Sequence, residues 1–169
     1  QLEKYFGRIP AGEKPAPLRT VEPPQIAEKE LVLREQAQPV YVEAYHMPAA
    51  THVDQPAFDV IDDILSSGRT SRLYMKLVRD PRSAVQVGSY SNYPGGKYPS
   101  LWLVLAIPAQ GVGNETIADE IRSEVERIKT ELVSDQDLAK AKTRARANLI
   151  RSLGSNQGLA NQLVAYQTL

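Results

Sequence analysis

The sequence contains no cysteine at all. That absence removes thiol nucleophiles, thiolate metal sites and disulfide bridges together, and it leaves both cytoplasm and periplasm open as compartments. Histidine is almost as scarce, with only His46 and His52. Catalytic zinc takes three protein ligands, usually including two histidines at helical spacing. These two stand six apart, one in a strand pattern and one in a loop pattern, with neither H-E-x-x-H nor H-x-x-E-H around them. We read both as structural or surface residues, the nearby Asp54 included. An excess of one charge is missing too: Lys+Arg and Asp+Glu number 20 each, so no global pull toward nucleic acid or an anionic membrane is expected. No apolar run approaches the ~18 residues of a membrane span, and the N-terminal QLEKYFGRIP has no signal-peptide architecture.

What is present is an ordinary globular composition, 42% hydrophobic and 24% charged over 169 residues, a length that suits one domain. Residues 8–29 are linker-like, because Pro10, Pro15, Pro17, Pro23 and Pro24 forbid regular helix or central strand. The first residues read like the tail of a preceding unit. The last, LANQLVAYQTL, stop inside an amphipathic pattern. We therefore expect residues 1–29 to be such a tail with its linker, and residues 30–169 to be a single domain truncated at its C-terminal end.

Within 30–47 the sequence predicts strand, with a short first piece at Glu30–Arg34 and then Val40, Val42, Ala44 and His46 alternating with Tyr41, Glu43, Tyr45 and Met47. Asp54 suits an N-cap and Pro56 the first turn of a helix whose stripe is Ala57, Val60, Ile61, Ile64 and Leu65. Gly68 suits its stop, and a short helix restarts after Thr70 or Ser71 with Leu73, Tyr74, Leu77 and Val78 inward. Pro81 ends that helix and should push Asp80 toward extended geometry. Residues 84–93 and Leu101–Ile107 read as an antiparallel pair around Pro94-Gly95-Gly96, the second an apolar run that belongs in mid-sheet or under helices. Asn114 caps a helix with Ile117, Ile121, Val125, Ile128 and Leu132 inward; Ser134 and Asp137 open the next, with Leu138, Ala141, Ala145 and Leu149 inward; a last helix carries Leu159, Leu163 and Val164. Strands and helices segregate, which predicts an α+β fold: an antiparallel or mixed sheet with helices packed on one face.

Motifs for chemistry are weak. There is no G-x-S-x-G. Pro94-Gly95-Gly96-Lys97 lacks the spacing and the strand-to-helix context of a phosphate loop. Gly111-Val112-Gly113 precedes a helix N-terminus and reads as a loop. Lys140, Lys142, Arg144, Arg146 and Arg151 crowd one helix. We expect the acids of the preceding helix, Glu115 to Glu131, to neutralise them by antiparallel packing, which argues against nucleic acid. Asp62 and Asp63 are adjacent, do not face each other, and read as solvent-facing.

Several segments in order resemble one family. Ala57–Leu65 followed by SSGRTSRLYMKLVRD, the pair around VQVGSYSNYPGGKYPSLWLVLAIP, the helices in SDQDLAKAKTRARANLIRSLGSNQGLANQL and the leading YFGRIPAGEKPAP are similar to insulinase/pitrilysin-type zinc peptidases. The resemblance implies a LuxS/insulinase-type domain, one of the two homologous α+β domains that make each half of a clamshell. It implies that zinc and the catalytic glutamate belong to the preceding domain of the parent, and that this metal-free domain supports it and lines a peptide chamber. Implied partners are that domain, a second homologous half or subunit, and a peptide substrate. In the opposite half of the family's clamshell, an arginine and a tyrosine seven residues later hold the substrate backbone. Here Arg79 occupies the arginine-like position but Gln86 stands where tyrosine would, so the pair is incomplete and Arg79 equally reads as a helix C-terminal charge. The expected function is a domain inactive alone within a zinc metalloendopeptidase. The alternatives are a catalytically inactive assembly subunit and, lower, a nucleic-acid-binding module.

Overall fold

The computed structural model describes residues 2–16, 19 and 21–168. Pro17 lies outside the described residues. Two compact units are present, Gln1–Gln36 and Ala37–Leu169. The first holds one short helix, α1 (Leu2–Phe6), followed by irregular chain. The strand expected at Glu30–Arg34 does not form: Leu31, Val32 and Leu33 are all exposed and have no neighbouring strand to pair with. Apolar composition alone does not make a strand without a ladder.

The second unit runs β1 (Tyr41–Met47), α2 (Gln55–Ser66), a π-helical segment (Tyr74–Arg79), β2 (Ala84–Tyr93), β3 (Ser100–Pro108), α3 (Asn114–Thr130), α4 (Asp135–Leu153) and α5 (Asn156–Thr168). The three strands form an antiparallel sheet in the order β1-β3-β2. The apolar run thus occupies the centre, and its side chains alternate between buried and half-buried. The fold is α+β, and the helical layer covers one face of this sheet. Trp102, Val104 and Ala106 of β3 meet Leu65, Leu73, Leu77, Ile117 and Ile121 there. Each of those five aliphatic side chains is almost wholly buried, a contribution of about 1.5–3 kcal/mol apiece over exposure.

Local chemistry sets the ends. Pro56 sits in the first turn of α2, and Asp54 precedes the helix without a side-chain capping bond. Gly68, at φ +80°, takes the chain away from α2 in a left-handed conformation that a side chain disfavours. Asp80 is not extended but helical, at φ −91° and ψ −56°, because its N–H donates to Met75 O (3.4 Å) in the wider π-type turn. That bond outweighs the restraint of Pro81. The N-cap of α3 is Gly113 and not Asn114, which is already the first helical residue. Ser134 caps α4 and accepts the Asp137 N–H at 3.1 Å.

The outer helices differ from the periodicity. α4 packs on α2, and α5 packs on α4. Only Ala141 of α4 is buried; Ala145 and Leu149 are exposed, Leu132 beyond α3 is fully exposed, and Leu159, Leu163 and Val164 of α5 are exposed. The side chains of α4 and α5 lie in a second and third layer, away from the sheet. The expected neutralisation of α4 by α3 fails for the same reason. Arg144 of α4 instead meets Asp63 of α2 at 2.7 Å. The α3 acids find partners elsewhere: Glu120 accepts from Ser83, Glu126 pairs with Lys129, and Glu131 pairs with Arg127 at 2.8 Å.

Candidate functional site

The sheet has one helix-covered face and one open face, and the register shows what stands on each. Opposite pairs share a face in an antiparallel ladder. On the open face, Val42 faces Leu105, Ala44 faces Leu103 and His46 faces Leu101 across β1 and β3. On the other side of β3, Gln86 faces Ile107, Gly88 faces Leu105, Tyr90 faces Leu103 and Tyr93 faces Leu101. Val42, Tyr90 and Tyr93 are more than half exposed. Leu101, Leu103, Leu105 and Ile107 are half-buried. No Asp, Glu, Lys or Arg stands in these rows. The face is a platform of leucines between two tyrosines and small residues, Ala44 on one side and Gly88 on the other.

The covered face fixes this platform from behind through a polar cluster that the sequence reading placed in solvent. Asp62 of α2 accepts the Trp102 Nε1–H at 2.6 Å and the hydroxyls of Ser89 and Ser66. Asp63, with its side chain 18% exposed, pairs with Arg144, which also donates to Ser67 O at 3.0 Å. Both acids therefore point inward or along the α2–α4 seam: the helix lies with this side against β2 and α4. At the β1 edge, Tyr41 and Tyr45 donate to Glu43 at 3.0 and 2.8 Å, and Arg122 of α3 reaches the same carboxylate at 3.1 Å. Burial first, then the hydrogen bond and charge of Glu43, push the Tyr45 phenol well above the usual tyrosine range. It therefore stays a neutral donor at physiological pH.

The residues singled out from sequence do not form a catalytic constellation. Arg79 ends the π-helical segment, exposed, with Nε 3.4 Å from Asp80 Oδ1 and Nη1 donating to Met75 Sδ at 3.1 Å. Gln86 is exposed on the open face of β2. No hydrogen bond joins the two among the described residues. His46 lies on the open face, while His52 sits in the turn before α2, where its Nδ1 accepts the Asp54 N–H at 3.2 Å. Among the described residues no three His, Cys, Asp or Glu side chains come together as a metal would require, and zinc does not fit the donor set of this chain. Pro94-Gly95-Gly96-Lys97 is the loop joining β2 to β3. The loop packs tightly: Ala50 N–H donates to Gly96 O at 2.8 Å, and a Cβ on Gly96 would stand 2.8 Å from that of Ala50. Among the described residues no helix is long and apolar enough to cross a membrane. The open face thus presents aliphatic and aromatic side chains with His46 at the Leu101 end, and among the described residues no Asp, Glu, Lys or Arg stands in its rows.

Comparisons with known proteins identify the family. The model of the Peptidase M16 inactive domain matches residues 1–145. The zinc protease PqqE of Helicobacter pylori is 30% identical over 122 residues, covering 72% of this chain and 27% of that protein. The crystal structure of a protease from Helicobacter pylori has a TM-score of 0.70 at 29% identity, over 76% of this chain and 30% of that one. The inactive peptidase domain of a protein assigned as a zinc protease in Bordetella parapertussis shares the fold, with a TM-score of 0.65 at 21% identity over 78% of this chain and 70% of that one. The chain spans less than a third of the length of the Helicobacter proteins it matches. Since the family match runs across all three strands and into α4, the chain belongs to the Peptidase M16 inactive domain family.

Proposed function

We propose that this domain forms part of the wall of a peptide chamber in a larger zinc protease, where it supports the catalytic domain and does no hydrolysis itself. The observation that carries the reading is the open face of the β1-β3-β2 sheet, which bears no Asp, Glu, Lys or Arg in its rows and is backed by helices on its other side only. An apolar sheet face without a helical cover is suited to lie against something else, and a segment laid on it buries apolar surface on both sides. Membership in an inactive-domain family and the zinc-protease relatives support the same reading. Zinc would then be held by a preceding domain of the same polypeptide, with residues 1–29 as tail and linker, and a second homologous half would close the chamber. Gln86 stands on the chamber side in this reading. Arg79, one helix end away, is the weaker substrate contact because Asp80 and Met75 already engage its guanidinium.

The test is Leu105→Glu in the full-length protein. A carboxylate in the centre of the open face should lower peptide cleavage about tenfold or more, through the cost of desolvating the charge under substrate, while zinc content and the folding transition stay as in the wild type. Unchanged cleavage would sink the chamber reading. The 169-residue chain alone should show no chelator-sensitive cleavage, and stoichiometric zinc in it would contradict the assignment of the metal to another domain.

A further inference from the structure

We infer that the cavity where the π-helical segment meets α3 is a binding site for a free α-amino acid with an apolar side chain. The inference does not depend on the chamber reading. The cavity has a volume of about 540 Å³, within the range of small-molecule sites. Its wall carries two charged groups of opposite sign that the fold leaves unsatisfied. Glu124 of α3 is 7% exposed, and its Oε2 is buried without a hydrogen bond. Its one ion pair among the described residues is with Arg127 Nη1 at 3.8 Å, too far for a hydrogen bond. The Nε of that guanidinium donates to Glu131 at 2.8 Å. Arg72 lines the same cavity, two residues before the π-helical segment, and its Nη1 is equally buried and unbonded. The π-type turn, closed by the Asp80 N–H on Met75 O, puts both of those residues in this wall as well. Such turns recur at functional sites.

The pattern of satisfied and unsatisfied charges sets the class of ligand. The other acids of the wall have partners: Glu120 accepts from Ser83, and Asp80 pairs with Arg79. Lys76, one helical turn after Arg72, is exposed and has no ion pair among the described residues. A buried guanidinium and a buried carboxylate without bonds each cost the fold their lost hydration. A simple anion in the cavity would bond to Arg72 but meet the carboxylate of Glu124. A simple cation would bond to Glu124 but meet Arg72 and Lys76. A neutral amide offers a donor and an acceptor yet compensates neither charge. A zwitterion satisfies both groups, with its carboxylate on the guanidinium and its ammonium on the Glu124 carboxylate, each bond charge-assisted. Among zwitterions, α-amino acids are of a size to fit, and Met75 and Pro81 supply an apolar part of the wall for an apolar side chain.

The experiment titrates the whole 169-residue chain by calorimetry with three probes: L-leucine, N-acetyl-L-leucine, which lacks the ammonium, and L-leucinamide, which lacks the carboxylate. The wild type should bind L-leucine about tenfold or more tightly than either of the others. Glu124→Gln should weaken L-leucine about tenfold and leave N-acetyl-L-leucine within about twofold, because that probe makes no use of the acid. Arg72→Gln should weaken L-leucine to a similar extent and spare L-leucinamide, and Arg72→Lys, which keeps the charge, should lose less. This crossed pattern supports the site. If no probe binds up to about 20 mM, water alone satisfies the two groups and the inference is overturned. It falls as well if the variants leave L-leucine binding unchanged, or weaken all three probes alike. Circular dichroism checks the fold of each variant. Should Glu124→Gln fail to fold, the ranking of the probes on the wild type decides, and equal affinities for the three overturn the inference.

Discussion

Asp62 shows how one side chain can tie a helix to a sheet. Its carboxylate takes the Trp102 indole N–H and two serine hydroxyls, Ser66 from its own helix and Ser89 from β2. Removing the acceptor would leave the buried indole N–H without this partner and leave the Ser89 hydroxyl only its bond with Ser66. Bonds to a charged acceptor and the cost of orphaned donors put the loss at about 2–4 kcal/mol for Asp62→Ala. Asp62→Asn, which keeps an acceptor oxygen, should lose roughly half as much. Urea unfolding followed by the fluorescence of Trp102, the only tryptophan, reads both values, and an alanine variant within about 0.5 kcal/mol of wild type would refute the role. The sequence made this residue look exposed because the stripe Val60, Ile61, Ile64 and Leu65 names only the apolar side of α2. Acids beside a stripe can still be inward when a strand hydroxyl and an indole lie opposite, and no helical periodicity encodes what lies opposite. Glu43 repeats the point: its alternation with Val42 separated the two faces of β1, yet showed neither which is covered nor the two tyrosines and the arginine gathered around this carboxylate.

At the scale of elements, ends were more legible than outer faces. Ser134 was readable as a cap because capping is local: its hydroxyl accepts the Asp137 N–H, and Asp137 accepts from Ser134 and from Lys140 at 3.3 Å. The Ser134 hydrogen bond, followed by that of Lys140, holds the Asp137 carboxyl below its ordinary value of 3.8. Its folded-state value is therefore depressed, so its stabilisation is present above 3.8 and is lost as pH falls through the lowered folded value. The side chain is 39% exposed, so solvent screens the gain and limits it to less than about 1 kcal/mol. Asp137→Asn should thus be slightly less stable than wild type near neutral pH, and the gap should close as the solution is acidified below 3.8. A gap that stays constant from neutral to acidic pH would show that the charge of Asp137 contributes nothing. Ala141 of α4 is buried as expected, but Ala145 and Leu149 were misread as inward because 3.6-residue periodicity reports an apolar side, not the layer in which a helix lies. α4 rests on α2 and α5 on α4, so Leu149, Leu159 and Leu163 are periodic and yet exposed. Likewise the central place of β3 was legible from LWLVLAI, while the openness of its second face was not. A buried parallel-type strand and a half-open central strand share the same apolar run.

For the whole molecule, the question is which residues the fold requires. Among the described residues, every buried hydrophobic of the core lies between Met47 and Ala141. All described side chains from Glu3 to Gln36 are exposed, including Phe6, Ile9, Ile26 and Leu31. Stability scales with apolar surface withdrawn from water, and a stretch of exposed side chains supplies little of it. The prolines of that stretch keep it extended in the unfolded state as well, so little chain entropy is recovered by deleting it. Both considerations predict that a protein beginning at Ala37 unfolds within about 2 °C of the longer chain and with the same cooperativity. Calorimetry of the two forms provides the measurement. A fall of about 5 °C or more, or a second transition in the longer form, would mean that residues 1–36 contribute to the core. If the prediction holds, the arm is free of a folding duty. Its proline-rich composition then serves the proposed connection to a preceding domain, and the open sheet face becomes the main apolar surface of the sheet left for that larger protein to use.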